Sequence, residues 1–160
     1  MKPNPSPLAI VDFAITRMDF RIMSPDDDAD ISELFSSYNI DIDFGVRKDE
    51  LIQVWVRAKI NADEEMKGYS IDAEAGCFFS YDESKDLQAQ NRATLEGFST
   101  IYIGLNSLRG LISSFTANAP FGRYILPSID LNDLIEQKKR QQEEAKGRKP
   151  VVKKKPVKKK

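Results

Sequence analysis

The stretch that decides the fold is Gly97–Gly122, GFSTIYIGLNSLRGLISSFTANAPFG, in which Arg109 is the single charge. Phe98, Ile101, Leu105, Leu108, Ile112 and Phe115 recur at spacings of 3, 4, 3, 4 and 3, which puts them on one face of a helix. A second stripe, Ile103, Ser107, Gly110, Ser114 and Ala117, is small and uncharged where a surface helix would carry Lys and Glu. The pattern predicts a helix covered on both faces, by its own domain on one side and by another subunit on the other. Gly104 and Gly110 each cost about 1 kcal/mol relative to Ala within a helix, so close packing is the expected reason for them. Asn118, Ala119 and Pro120 end the helix, and Gly97 is expected to mark a break before it.

Upstream of this helix the periodicity is two. From Leu8, Val11, Phe13 and Ile15 share one parity, and Met18, Phe20 and Ile22 take the other. Such a change of phase predicts a bulge near Thr16–Arg17, which bends the strand before Ser24–Pro25 ends it. The acidic loop DDDAD, Asp26–Asp30, lacks the ligand spacing, glycine and distal Glu of a calcium loop, and a short helical turn follows over Ile31–Ser36. Tyr38, Ile40, Ile42, Phe44 and Val46 alternate as a second strand, and Arg47–Glu50 turns the chain. A third strand from Leu51 to Ala62 has Ile52, Val54, Val56, Ala58 and Ile60 on one face, with Leu51 and Trp55 among polar residues on the other. After a polar loop over Ala62–Gly68, Tyr69–Tyr81 makes a fourth strand, with Tyr69, Ile71, Ala73, Ala75, Cys77, Phe79 and Tyr81 together. Four consecutive strands with short or moderate loops predict an antiparallel sheet with one face in need of cover.

Downstream of it, Arg123–Pro127 crosses back and Asp130 is the expected N-cap of a last helix that begins LNDLIEQ. Only Leu131, Leu134 and Ile135 can anchor that helix, so beyond Gln137 it is expected to project into solvent. The organisation is a loose lead-in over residues 1–7, one domain over 8–145 and a disordered Lys-rich tail over 146–160.

Charge divides the same way. The net charge of the 160 residues is −1, yet all nine cations after Glu144 belong to the tail, which leaves 15 basic against 25 acidic residues in the body. An acidic body with a cationic tail should seek two kinds of partner. With no histidine and Cys77 as the one cysteine, disulfide frameworks, Cys/His zinc sites and Ser-His or Cys-His catalysis are excluded within a chain. No carboxylate pair has a partner to tune it, no phosphate-binding glycine loop is present, and Cys77 falls among core residues of the fourth strand. No cofactor is expected. The chain is therefore expected to bind rather than to catalyse. Its start has neither the apolar run nor the cleavage site of a signal peptide, and no stretch is apolar enough to span a bilayer, so a cytoplasmic protein is expected. Trp55, Phe78 and Tyr38 lie on or near faces that also carry charge; they are either core residues or part of a groove for apolar segments of other proteins.

In the order of its elements the chain resembles the SecB family of export chaperones. The likeness runs from Leu8 to Gln137. It is carried by Phe20 and Pro25 near the end of the first strand, and by Gly76, Phe79 and Ser80 closing the fourth. Arg109, Ile112 and Ser114 carry it in the main helix, followed by Phe121, Leu126 and Pro127 and then Leu134. The resemblance implies an α+β subunit, a four-stranded antiparallel sheet covered by a long helix and a shorter C-terminal helix. It also implies a homo-oligomer, a dimer of dimers, that holds unfolded client polypeptides in apolar grooves without ATP. Client-binding positions would be Tyr38, Ile40, Phe44, Tyr69 and Tyr102, with the groove candidates Trp55 and Phe78. Ile71, Ala73 and Ala75 would influence subunit packing, together with the helix stripe Ile103, Ser107, Gly110 and Ser114.

One departure bears on partners. In the family the SecA motor docks on an acidic sheet surface. Arg17 and Arg21 stand here at two of its acidic positions, Ser70 stands at a leucine, and Asp72 alone keeps its acid. Two reversed charges on a patch that recognises basic segments should repel, so standard SecA coupling is not expected. Some SecB-like proteins serve instead as chaperones of an antitoxin in toxin–antitoxin systems, and this chain is compatible with that role. From another class, the Lys-rich tail would suit an adaptor for nucleic acid or anionic surfaces; a solubilising tail lying loosely on the acidic body is the plainer reading.

Overall fold

A computed structural model describes residues 2, 4–25, 28–62, 67–85 and 88–147. Most of the tail expected to be disordered, residues 148–160, lies outside the described residues, as do parts of the lead-in, of the acidic loop and of the loop over Ala62–Gly68. The chain divides into two units, Met1–Leu126 and Pro127–Lys160.

The first unit is an α+β fold built on one antiparallel sheet. Its strands are β1 (Leu8–Met23), β2 (Ile40–Lys48), β3 (Ile52–Ile60) and β4 (Gly68–Tyr81), in the order β1-β4-β3-β2. The short helix α1 (Ile31–Ser36) lies on the connection from β1 to β2, which joins the two edges of the sheet. Asp30 caps it, with its side chain accepting from the Ser32 and Glu33 amides. The bulge expected near Thr16–Arg17 is present as a register shift between Ile15 and Arg17. A second shift, between Ile10 and Asp12, makes Val11 an extra residue rather than a member of the apolar row.

Alternation then sorts the strands into two faces. Ile52, Val54, Val56, Ala58 and Ile60 of β3 are buried on one face with Ile71, Ala73, Ala75, Cys77 and Phe79 of β4. Over these two strands lies α3 (Thr100–Thr116), preceded by α2 (Ala89–Thr94) and a π-helical turn, Leu95–Ser99. The expected break at Gly97 is therefore a wide turn within an unbroken helical run over residues 89–116. The Thr100 hydroxyl adds to its hold by donating to the carbonyls of Glu96 and Gly97, and the Thr100 amide also donates to Gly97.

The π turn also alters the buried face. Ile101, Leu105, Leu108 and Ile112 are buried as the spacing predicts, whereas Phe98 is half-buried and Phe115 largely exposed. Thr100, Gly104 and Thr116 are buried instead and, with Leu108 and Ile112, make a row at intervals of four. At Gly104 a Cβ would come within 3.2 Å of Cys77 Sγ and 3.4 Å of Val56 Cγ1, so this glycine lets α3 settle on its own sheet. Gly110 faces open space instead. The two glycines thus have different reasons. Burial pushes the Cys77 thiol up to about 11, which keeps it inert.

After α3 the chain returns along the end of the sheet. The Thr116 hydroxyl accepts from the Tyr124 amide at 2.9 Å, and the Tyr69 hydroxyl accepts from the Phe121 amide and donates to the Gly122 carbonyl. Two side chains thereby fix the crossing segment. The second unit holds α4 (Leu131–Gly147), whose first amides donate to the Asp130 carboxylate as the sequence predicts. Leu131 is buried and Leu134 and Ile135 half-buried, and beyond them nearly every described side chain through Glu144 is exposed. At 17 residues α4 equals α3 in length and is shorter than the run that contains α3.

Candidate functional site

Because α3 lies across β3 and β4, the edge strands flank it. On β1 the register places Ile10, Phe13, Ile15, Met18, Phe20 and Ile22 on the helix side of the sheet, opposite Phe79, Cys77, Ala75, Ala73, Ile71 and Tyr69. This apolar row is only partly covered. Ile10 is 49% and Ile15 52% exposed, and Ile22 is exposed as well. Phe115 of α3, also exposed, meets Phe20 edge-on at 5.1 Å between ring centroids. The result is an apolar strip that runs the length of a 16-residue edge strand beside an uncovered helix flank. Patches of this kind mark sites of contact with other chains.

One end of this strip joins a cluster of rings. Phe20, Phe35, Tyr38, Tyr69, Phe121 and Tyr124 lie 5.2–5.5 Å apart between ring centroids in six contacts. The Tyr69 amide donates to Tyr38 Oη at 2.8 Å. Burial, with the Tyr38 phenol beside it, pushes Tyr124 up to about 12, and its Oη has no hydrogen-bond partner among the described residues. Phe35, Phe121 and Tyr124 were not among the expected site residues. Their aromatic character was visible, but Phe35 lies 86 residues before Phe121 and 89 before Tyr124, and no local spacing brings it to them.

The expected client-binding residues therefore do not form one groove. Tyr38 and Tyr69 are buried in the ring cluster, and Phe44 is buried on the helix side of β2. Ile40 is half-buried on that side, and Tyr102 is exposed on α3, stacked on Phe98 at 6.3 Å. Trp55 and Phe78 are on the opposite face of the sheet. There the Trp55 indole occupies the space a side chain at Gly45 would need, and the Phe78 ring lies by Gly76. Their separation has a simple cause: odd and even positions of a strand point to opposite faces, and only the sheet's orientation tells which face α3 covers.

The expected subunit-packing residues separate as well. Ile71, Ala73 and Ala75 are wholly buried beneath α3 and can act on a neighbouring subunit only through the core. Ile103 and Ser107 are half-exposed and Gly110 and Ser114 exposed, on the side of α3 turned from the sheet.

The four residues at the expected motor-docking positions are brought together on the outer face of the sheet, where Asp19 of β1 pairs with Asp72 and Arg21 with Ser70. Asp72 receives two hydrogen bonds from Arg57, at 2.7 and 2.6 Å, and Arg17 stands at 3.6 Å. These cations hold the Asp72 carboxyl below its ordinary value, the Arg57 bonds being the larger cause. Arg21 pairs instead with Asp19 at 3.5 Å. The one retained acid is thus already engaged. At the far end of the sheet, Arg92 lies 4.5 Å over the Tyr81 ring and binds Glu83 and Glu96, and Lys48 of β2 reaches Glu96 at 2.7 Å. This network ties the π turn to β2 and β4.

No protein-family model matches the chain, and no curated protein matches it in sequence. Among solved structures it is similar to a SecB-like chaperone of Mycobacterium tuberculosis in complex with a peptide from an antitoxin. The TM-score is 0.49 at 13% identity, over 76% of this chain and 90% of that one. It is also similar to a protein of unknown function from Streptococcus agalactiae, with a TM-score of 0.43 at 8% identity, over 76% of this chain and 97% of that one. Among the described residues no helix is long and apolar enough to cross a membrane.

Proposed function

We propose that this protein is a SecB-like holdase, a cytoplasmic chaperone that binds non-native polypeptides by burying their apolar side chains and catalyses no reaction. The observation that carries the reading is the apolar strip along β1, with Ile10, Ile15 and Ile22 exposed beside Phe115. A soluble subunit exposes such a row when other chains cover it. The sequence resemblance over Leu8–Gln137 supports the same reading. Assembly as a homotetramer would use the open sides of the subunit, including the small-residue side of α3 at Gly110 and Ser114. The test uses the full chain without nucleotide: it should delay aggregation of a chemically unfolded client and migrate well above the 18.1 kDa of one chain. A monomer without such activity would sink the proposal.

The outer face favours a second reading, that of a dedicated antitoxin chaperone on the same fold. Asp72 is engaged by Arg57 and flanked by Arg17, which leaves a poor surface for a basic motor segment. Preference for one client over many, and a toxin–antitoxin pair encoded beside the gene, would point to it. Binding of purified SecA motor with an affinity that survives Asp72→Asn would count against it. The nucleic-acid role of the Lys-rich tail is tested by deleting residues 146–160 and measuring salt-dependent RNA binding; if the full chain binds none, that role ends.

A further inference from the structure

Helix α1 is attached to the body through three half-buried side chains, Ile31, Leu34 and Phe35. None of its residues is buried, and its hydrogen bonds are internal or with its own flanking residues. Among the described residues no ion pair joins it to the sheet or to α3. Of the three, Leu34 places its Cδ2 beside Gly68, and Phe35 enters the ring cluster. The Phe35 ring sits 5.5 Å from Tyr38, 5.3 Å from Tyr69 and, edge-on, 5.4 Å from Tyr124. The three tyrosines are buried, while Phe35 itself is only half-buried.

The tyrosine bed does not depend on its occupant. Tyr38 Oη accepts from the Tyr69 amide, Tyr69 Oη is bonded to Phe121 and Gly122, and the Tyr124 amide is bonded to Thr116. Each tyrosine is thus fixed by groups outside α1. Tyr124 Oη is buried without a partner among the described residues, so the bed is one hydrogen bond short of saturation. A preformed aromatic receptor is therefore filled by a phenylalanine on a helix that has no buried residue and, among the described residues, no hydrogen bond to the sheet.

We infer that Phe35 is an intramolecular plug, and that the bed of Tyr38, Tyr69 and Tyr124 takes an aromatic side chain of a bound non-native polypeptide when α1 lifts away. The inference deepens the holdase reading and rests on it. The occupant's chemistry follows from the page: the bed already holds a phenyl ring in cis, and the apolar strip of β1 reaches it through Phe20, which packs against Tyr69 at 5.2 Å. Tethered to the same chain, Phe35 competes at a high effective concentration, so only a client that also binds elsewhere on the subunit would displace it. The bed's apparent affinity is reduced by the fraction of time it is plugged.

The experiment uses the full chain with reduced, carboxymethylated α-lactalbumin, a permanently unfolded probe. Phe35→Ala should bind it at least about threefold tighter than the wild type, because the competitor is gone. In the wild type, amide hydrogen exchange over residues 31–37 should rise when the probe is added, while that of α3 does not. Probe binding by the wild type with equal or weaker binding by Phe35→Ala, or with unchanged exchange over 31–37, overturns the plug and leaves the holdase reading standing. Absence of probe binding by both proteins overturns the two together. If Phe35→Ala does not fold, exchange in the wild type decides alone.

Discussion

The two edge strands of the sheet have been treated in opposite ways. β1 runs for 16 residues, carries two bulges and leaves a row of isoleucines exposed, whereas β2 runs for nine and interleaves its apolar row with Asp41, Asp43 and Arg47. Bulges and edge charges both discourage indiscriminate pairing of strands. Both edges carry charge on the outer face, Asp12, Arg17, Asp19 and Arg21 on β1 included, so what sets β1 apart is the row of exposed isoleucines on the helix side. At the end of β2, Lys48 is tied to Glu96, which closes that side against the π turn. The difference makes β1 the edge with the longer exposed apolar row and β2 the edge tied to the π turn.

The largest effect expected from this contrast comes from charge on the open row. Ile10→Lys together with Ile15→Lys should weaken client capture by about tenfold or more, while Val46→Lys on β2, at a site 39% exposed, should change it less than about twofold. Both variants should keep folding stability within about 1 kcal/mol, because the side chains already reach solvent. Binding to an unfolded probe and thermal unfolding measure the two quantities; equal losses from the two strands would break the comparison. Next comes the outward side of α3. A Cβ at Gly110 meets nothing, and Asp has the better helix propensity, so Gly110→Asp should leave the chain folded and split the proposed homotetramer. A variant that stays tetrameric by light scattering would show that this side of α3 is not an interface.

Much of the fold was legible because its signals are local. Period-two alternation gave four strands, Asp130 marked the start of α4, and a change of parity located the bulge at Ile15–Arg17. The missed bulge at Val11 lies where apolar residues of both parities adjoin, so alternation carries no phase there. The π turn was missed because its support, the Thr100 hydroxyl bonded back to Glu96 and Gly97, has no signature distinct from an ordinary helical threonine. Candidate site residues were less legible. Trp55 and Val56 are neighbours in sequence, one exposed and the other fully buried, and which one faces α3 depends on packing between distant segments. Phe35 could not be singled out, since its three tyrosine partners follow it by 3, 34 and 89 residues.

A smaller effect is expected at the closed edge. Lys48, as the larger cause, and Arg92 hold the Glu96 carboxyl below its ordinary value of 4.5. A carboxyl whose folded value is depressed stabilises the fold above its unfolded value, and the contribution fades as pH falls through the lower, folded one. Glu96→Gln should therefore lower the unfolding midpoint by about 2–4 °C near pH 7, and the two proteins should converge well below pH 4.5.

The smallest effect separates the two edges by a single cation each. Lys48 and Arg17 are equally exposed, at 53%, but Lys48 meets a carboxylate that is 13% exposed at 2.7 Å, and Arg17 stands 3.6 Å from one that is 23% exposed. Asp72 keeps both of its bonds to Arg57 when Arg17 is removed, whereas Glu96 keeps Arg92 but loses Lys48. Exposed pairs of this kind contribute at most about 1 kcal/mol, so Lys48→Ala should produce a small loss at pH 7 and Arg17→Ala none above measurement error. Asp72 is also held below its ordinary 3.8, chiefly by Arg57 and less by Arg17, so the acid arm of its stability curve should change less in Arg17→Ala than in Asp72→Asn. Urea unfolding from pH 7 to pH 3 resolves these cases. Should Arg17→Ala cost as much as Lys48→Ala, β1 would be tied to the sheet's outer face as firmly as β2 is to the π turn, and the division into an open and a closed edge would rest on the isoleucine row alone.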